Sequence, residues 1–160
     1  DEETLQGVVT RELERQKMTM SVLETFTGGI ISQKLVQAGS QALLGGWVLP
    51  VRKSQSIFLD LPDDEAYFQQ QDPQAVADRL AIKVRKTFGT TLGLSMYGRV
   101  VEEQSREEYR VETCYSLSTL EGMERLQHSL GGELWMVRER ASIIALDMVR
   151  KYLLRMRQIA

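Results

Sequence analysis

The sequence predicts an α/β layered fold: a mainly parallel sheet with an antiparallel hairpin, and helices in the connections. Three stretches carry that expectation. Met18 to Ala38 reads as a short buried strand, a polar turn with two glycines, and a helix. Asp72-Pro73 opens a second, strongly marked helix. Tyr109 to Ser118 alternates apolar and polar residues with a period of two, the mark of a strand with unlike faces.

In the first stretch, Ile30, Ile31, Leu35 and Ala38 fall on one stripe at helical spacing, and Gly39 closes the helix as a C′ residue. A strand that ends at a helix N-terminus leaves several backbone N–H groups aimed at one spot, which attracts anions. Gly28 and Gly29 let a ligand approach the backbone, with Glu24, Thr25 and Thr27 at the rim. The alternative reading makes Thr27 an N-cap and the glycines the turn.

The remaining elements follow in order. Asp1 to Gln16 is a helix with Leu5, Val8, Val9 and Leu13 on one stripe and acidic residues in its first turn. Leu44 to Val51 is a strand that Pro50 ends or places at an edge. Arg52 to Leu59 is a short helix, and Pro62-Asp63-Asp64-Glu65 opens another. The Asp72-Pro73 helix buries Val76, Ala77, Leu80, Ala81, Val84 and Phe88 and stops at Gly89. Thr91 to Tyr97 is a strand and Arg99 to Glu108 a loop. After Tyr109 to Ser118, a turn at Leu120-Glu121-Gly122 leads to a returning strand over Met123 to Leu130, with Leu126, His128 and Leu130 on one face. Past Gly131-Gly132, a long helix closes the chain; the basic cluster at its end reads as a solvated surface. Trp47 and Trp135 are expected in the core.

Composition narrows the function. A chain of 160 residues suits one domain spanning 1–160, and 20 Lys plus Arg against 22 Asp plus Glu gives a net charge of -2. This balance gives no bias toward nucleic acid or an anionic membrane, and no apolar run reaches the length of a membrane span. Cys114 and His128 are the single cysteine and histidine, which excludes an internal disulfide and a zinc site and suggests a reducing compartment. No metal or cofactor is expected. A chain that starts at Asp1 in helical pattern looks like a domain cut from a longer protein.

Glu24-Thr25-Phe26-Thr27-Gly28-Gly29, then Ala38-Gly39-Ser40, then Gly45-Gly46, resembles the opening of the C-terminal domain of competence/damage-inducible protein A, the CinA family. The likeness continues through Leu61-Pro62-Asp63-Asp64, Thr91-Leu92-Gly93-Leu94, Val111-Glu112-Thr113-Cys114-Tyr115 and the last helix. It implies a three-layer α/β/α sandwich. It also implies a cytoplasmic protein, assembly into a homo-oligomer, and a preceding molybdopterin-binding-like domain. Members known as nicotinamide mononucleotide deamidases hydrolyse the ring amide to nicotinic acid mononucleotide and ammonia, so the implied ligand is a pyridine mononucleotide.

By that resemblance the nucleophile position is Thr25, where the family has Ser, and Phe26 replaces Cys. The family's Tyr position is Pro50 and its Lys position is Gln55, so Lys53, two residues away, is the nearest candidate base. Neither an amide nor an imino ring takes a proton from a hydroxyl at neutral pH. The family's glycine-rich substrate loop corresponds to Gly98-Arg99-Val100-Val101-Glu102, which keeps one glycine. Candidate ligand-binding positions are Thr27, Gly28, Gly29, Gly46 and Gly98. The expected function is a degenerate, non-catalytic domain with a structural, oligomerisation or regulatory role. The alternatives are an amide hydrolase using Thr25 and Lys53, and a nucleotide-binding module without turnover.

Overall fold

The computed structural model of the chain describes residues 3–159. Its elements run α1 (Leu5–Arg15), β1 (Met20–Glu24), α2 (Ile30–Gln37), β2 (Leu43–Val48), α3 (Arg52–Leu59), α4 (Glu65–Gln70), α5 (Pro73–Phe88), β3 (Leu92–Glu103), β4 (Glu108–Ser118), β5 (Met123–Glu133) and α6 (Leu134–Ile159). The five strands form one mixed sheet in the order β2-β1-β3-β4-β5. β1 pairs parallel with β2 and β3, whereas β3/β4 and β4/β5 are antiparallel. The anticipated α/β class and mixed sheet are both present, but the sheet is not mainly parallel: two of its four pairings are antiparallel, and these are the longer ones.

Strand alternation sorts the interior into two layers. Met20 and Val22 of β1, Leu92, Leu94 and Met96 of β3, and Val111, Tyr115 and Leu117 of β4 pack with α1, α2 and α6. On the opposite face, Leu23, Tyr97 and Cys114 meet Val76, Ala77, Leu80 and Val84 of α5. At this second interface α5 lies directly on small residues of the sheet. Ser95 Oγ donates to Ala77 O at 2.6 Å and Ser21 Oγ to Val84 O at 3.0 Å. Gln74 Nε2 reaches Tyr115 O at 3.0 Å and Ser116 Oγ at 2.9 Å. Burial, followed by the charge of Asp72, pushes the Cys114 thiol up to about 11, so it packs as a neutral small hydrophobe.

Helix α5 matches its sequence signals in full: Asp72 is the N-cap, Pro73 opens the first turn, and Gly89 closes the helix at φ 64°. Five further expectations change. The helix foreseen at Pro62 begins at Glu65, because Asp64 accepts from the Tyr67 N–H at 2.9 Å and acts as the cap. The opening helix starts at Leu5 with Thr4 as its cap and has no acid in its first turn; Asp1 and Glu2 lie outside the described residues.

The foreseen loop over 99–108 is largely strand. β3 continues to Glu103, paired with β4 through Val100↔Val111 and, past a bulge, Glu102↔Arg110. Both faces of this arm are open to solvent, so it lacks the alternation that marks a half-buried strand. Likewise Gly131-Gly132 does not end β5, which runs to Glu133 opposite Glu108. Both tryptophans are exposed rather than core, Trp47 by 42% and Trp135 by 66%.

The basic end of α6 lies at the surface, as read from the sequence, and its side chains form ion pairs there. Arg150 and Lys151 pair with Asp147, Arg155 with Glu124, and Arg157 with the buried Glu12. Among the described residues no helix is long and apolar enough to cross a membrane.

Candidate functional site

The end of β1 and the start of α2 form a turn built around Glu24. Its side chain is fully buried. Oε1 accepts from Thr27 Oγ1 at 2.6 Å, Ile31 N at 3.0 Å and Gly29 N at 3.3 Å, and Oε2 accepts from Ser32 N at 2.8 Å and Ser32 Oγ at 2.7 Å. The α2 N-terminus therefore holds an anion supplied by the chain itself, which offsets the desolvation of the carboxylate with charge-assisted bonds. Two sequence readings are corrected here. Glu24 is not at the rim, because its carboxylate is drawn onto the free N–H groups. The N-cap is Gly29 at φ 108° rather than Thr27, whose hydroxyl serves Glu24 instead. Two further amides of the turn are also engaged, Gly28 N with Thr25 O and Ile30 N with Thr27 O, each at 3.3 Å.

Thr25, next along the chain, is 2% exposed. Its Oγ1 donates to Met96 O at 3.2 Å and accepts from Gly98 N at 3.1 Å, so the hydroxyl joins the end of β1 to β3. Those two backbone groups use its proton and a lone pair. Among the described residues no lysine, histidine or carboxylate is hydrogen-bonded to it. Gly98 is required here by packing: a Cβ on it would lie 2.6 Å from Phe26 Cβ.

Lys53 is exposed on the first turn of α3 and does not line the cleft beside Thr25. Gln55, at the position where the family resemblance expects Lys, is buried and donates from Nε2 to Leu49 O at 3.0 Å. Gly46 lies in the edge strand opposite Val22, where a Cβ would overlap the Val22 carbonyl; it too stands outside the cleft. The structure thus brings Thr25, Thr27, Gly28, Gly29 and Gly98 together and leaves Lys53 and Gly46 apart from them.

The cleft itself measures about 530 Å3 and runs from Thr25 and Gly28 past Pro50 to Val100, Tyr109 and Arg138. Arg138 of α6 was not singled out by the sequence reading. Its Nε donates to Phe26 O at 3.1 Å, and its guanidinium lies 5.1 Å from the Phe26 ring centroid. It is the cation lining this cleft, brought there from 112 residues further along the chain. No local pattern could reveal it, since it sits beside the apolar stripe of a long helix like any flanking charge. Among the described residues no group of three His, Cys, Asp or Glu side chains is placed to hold a metal ion.

A five-stranded mixed sheet between two helical layers makes an α/β/α fold that solved structures share. A competence-damaged protein (CinA) superfamily protein from Klebsiella pneumoniae superposes with a TM-score of 0.78 at 16% identity, covering 94% of this chain and 96% of that one. A competence or damage-inducible protein from Enterobacter asburiae gives 0.78 at 14% identity, covering 93% and 96%. In sequence, the CinA C-terminal domain family matches residues 2–153, and the chain belongs to that family. A CinA-like protein of Myxococcus xanthus is 32% identical over 160 residues, covering 96% of this chain and 38% of the relative. One from Syntrophotalea carbinolica is 29% identical over 155 residues, covering 95% and 38%. The chain therefore spans well under half the length of these curated relatives.

Proposed function

We propose that this chain is a non-catalytic CinA C-terminal domain with a structural, oligomerisation or regulatory role in a longer cytoplasmic protein. A further domain, of the molybdopterin-binding-like kind that the resemblance implies, would precede it there. The observation that carries this reading is the bonding of the Thr25 hydroxyl. An alcohol becomes a useful nucleophile only when a base accepts its proton. Here the proton goes to the Met96 carbonyl, which cannot remove it, and one of the two lone pairs is engaged by Gly98 N. The buried amide of Gln55, tied to Leu49 O, offers no replacement base.

The experiment is ammonia release from nicotinamide mononucleotide by the intact chain, beside Thr25→Ala and Lys53→Ala. The expected result is background release by all three proteins. Turnover by the unaltered chain that either substitution abolishes would establish an amide hydrolase and overturn the proposal.

A second reading, binding of a pyridine mononucleotide without turnover, draws on the cleft between Thr25 and Arg138, where apolar walls meet one guanidinium. In the same series, heat of binding at millimolar ligand that Arg138→Ala removes would favour this reading, and absence of heat would leave the structural role.

A further inference from the structure

Helix α5 turns one face to the sheet and the other to solvent. Arg79, Lys83 and Lys86 stand at positions i, i+4 and i+7 of that helix, which places them on one stripe. The helix as a whole holds four cations, Arg79, Lys83, Arg85 and Lys86, against a single acid, Asp78. A chain whose net charge is -2 therefore keeps a local surface of the opposite sign.

Beside that stripe a groove of about 560 Å3 opens, lined by Leu59 at the end of α3 and by Arg79, Ile82, Lys83, Lys86 and Thr87 of α5. Leu59 and Ile82 supply its apolar part, and the cations form its rim. Lys83 is tied to α3: its ammonium donates to Phe58 O, lies 5.0 Å from the Phe58 ring centroid, and is 3.5 Å from the carboxylate of Asp60. Arg79 and Lys86 are exposed and make no ion pair among the described residues. Three cations against one carboxylate leave this groove with an excess of positive charge. The other flank of α5 differs. A second groove there shares Ile82 and Lys86, but Arg85 donates to Ser118 Oγ at 2.9 Å and Arg125 pairs with Asp78 at 2.8 Å, so its other cations are engaged by the chain itself.

We propose that the groove between Leu59 and the Arg79–Lys86 stripe is a docking site for an acidic amphipathic helix of another protein. The stripe spans about 10 Å along α5, and carboxylates at i, i+4 and i+7 of a helix laid beside it repeat that spacing. The apolar residues of the same helix cover Leu59 and Ile82. Nucleic acid fits less well. A phosphate backbone leaves the apolar part uncovered, and three cations supply few of the counterion-releasing contacts on which such binding rests. The inference goes beyond the reading above, since neither Thr25 nor its cleft takes part.

The test is fluorescence anisotropy of a labelled synthetic helix of about 18 residues, long enough to hold helical structure, with Glu at i, i+4 and i+7 beside a leucine stripe. Its comparison probes are a shuffled peptide of the same composition, a version with Lys in place of each Glu, and single-stranded DNA of equal charge. The intact chain is expected to bind the acidic helix at least roughly tenfold more tightly than any of the three. Arg79→Glu with Lys86→Glu, both at exposed positions, should weaken that binding by roughly tenfold or more and confer binding of the lysine version. Ile82→Ser should weaken it by about threefold or more, which separates apolar contact from charge alone. Thermal unfolding confirms the fold of each variant. No binding at millimolar peptide, equal binding of the shuffled peptide, tighter binding of the DNA, or an affinity that the double reversal leaves unchanged would each overturn the proposal. So would a dimer in sedimentation velocity that the double reversal dissociates, because a second copy would then fill the groove. Ammonia release does not enter, so this proposal and the non-catalytic reading can fail separately.

Discussion

Glu24→Ala is expected to cost about 4 kcal/mol of folding stability, since each buried polar group left unpaired costs roughly 1–3 kcal/mol. The substitution orphans the Gly29, Ile31 and Ser32 amides and the Thr27 and Ser32 hydroxyls, all of which converge on this carboxylate. Water entering the space offsets part of the loss, which keeps the figure below the sum of separate bonds. Glu24→Gln keeps the volume but turns one acceptor into a donor that faces other donors, and should cost about half as much. Urea denaturation measures both, and for a domain of this size the alanine variant should melt roughly 10 °C lower. A loss under about 1 kcal/mol for Glu24→Ala would mean that the α2 N-terminus does not depend on this anion.

Gly93→Ala should be nearly as damaging although it adds one methyl group. Its Cβ would overlap Ala81 O and lie 2.6 Å from Arg85 Cβ, so α5 must move off the sheet or bend. The displacement would strain the bonds that Ser95 and Ser21 make to α5 carbonyls. Overpacking of this kind typically costs about 1–3 kcal/mol, and the backbone contact places this case at the upper end. Gly131→Ala is the matched control, because its Cβ meets nothing nearer than Tyr109 O at 3.8 Å. It should change stability by no more than about 0.5 kcal/mol. Equal melting temperatures for the two variants would contradict the close packing of α5 on small residues.

What was legible in the sequence divides along physical lines. Local chemistry named α5, because an Asp cap, a proline and a terminal glycine act through neighbouring backbone groups. Unlike faces named β4: Val111, Tyr115 and Leu117 face the α6 layer, while Cys114 and Ser116 between them face α5. The outer half of β3 left no such trace, since a strand exposed on both faces needs no alternation. The tryptophans misled because bulk apolar rings suggest a core, while these two sit at an edge strand and at the start of α6.

The site was legible in part. The turn residues Thr25, Thr27, Gly28 and Gly29 do gather at one end of β1, as a strand running into a helix requires. The direction of their bonds could not be read. Glu24 follows an apolar strand, and only its spacing to Thr27 and Ser32 hints that one carboxylate could reach both. Arg138 arrives through tertiary packing and left no sequence signal.

The account turns on where the Thr25 hydroxyl spends its hydrogen bonds, and amide exchange at Gly98 in Thr25→Val reports this directly. Valine keeps the shape and removes the oxygen that accepts from Gly98 N. The expected result is exchange at Gly98 faster by roughly tenfold, a loss of about 1.4 kcal/mol in local protection, with Thr25→Ser restoring the slow rate. Unchanged exchange at Gly98 in the valine variant would show that the hydroxyl does not accept from Gly98 N and would contradict the account.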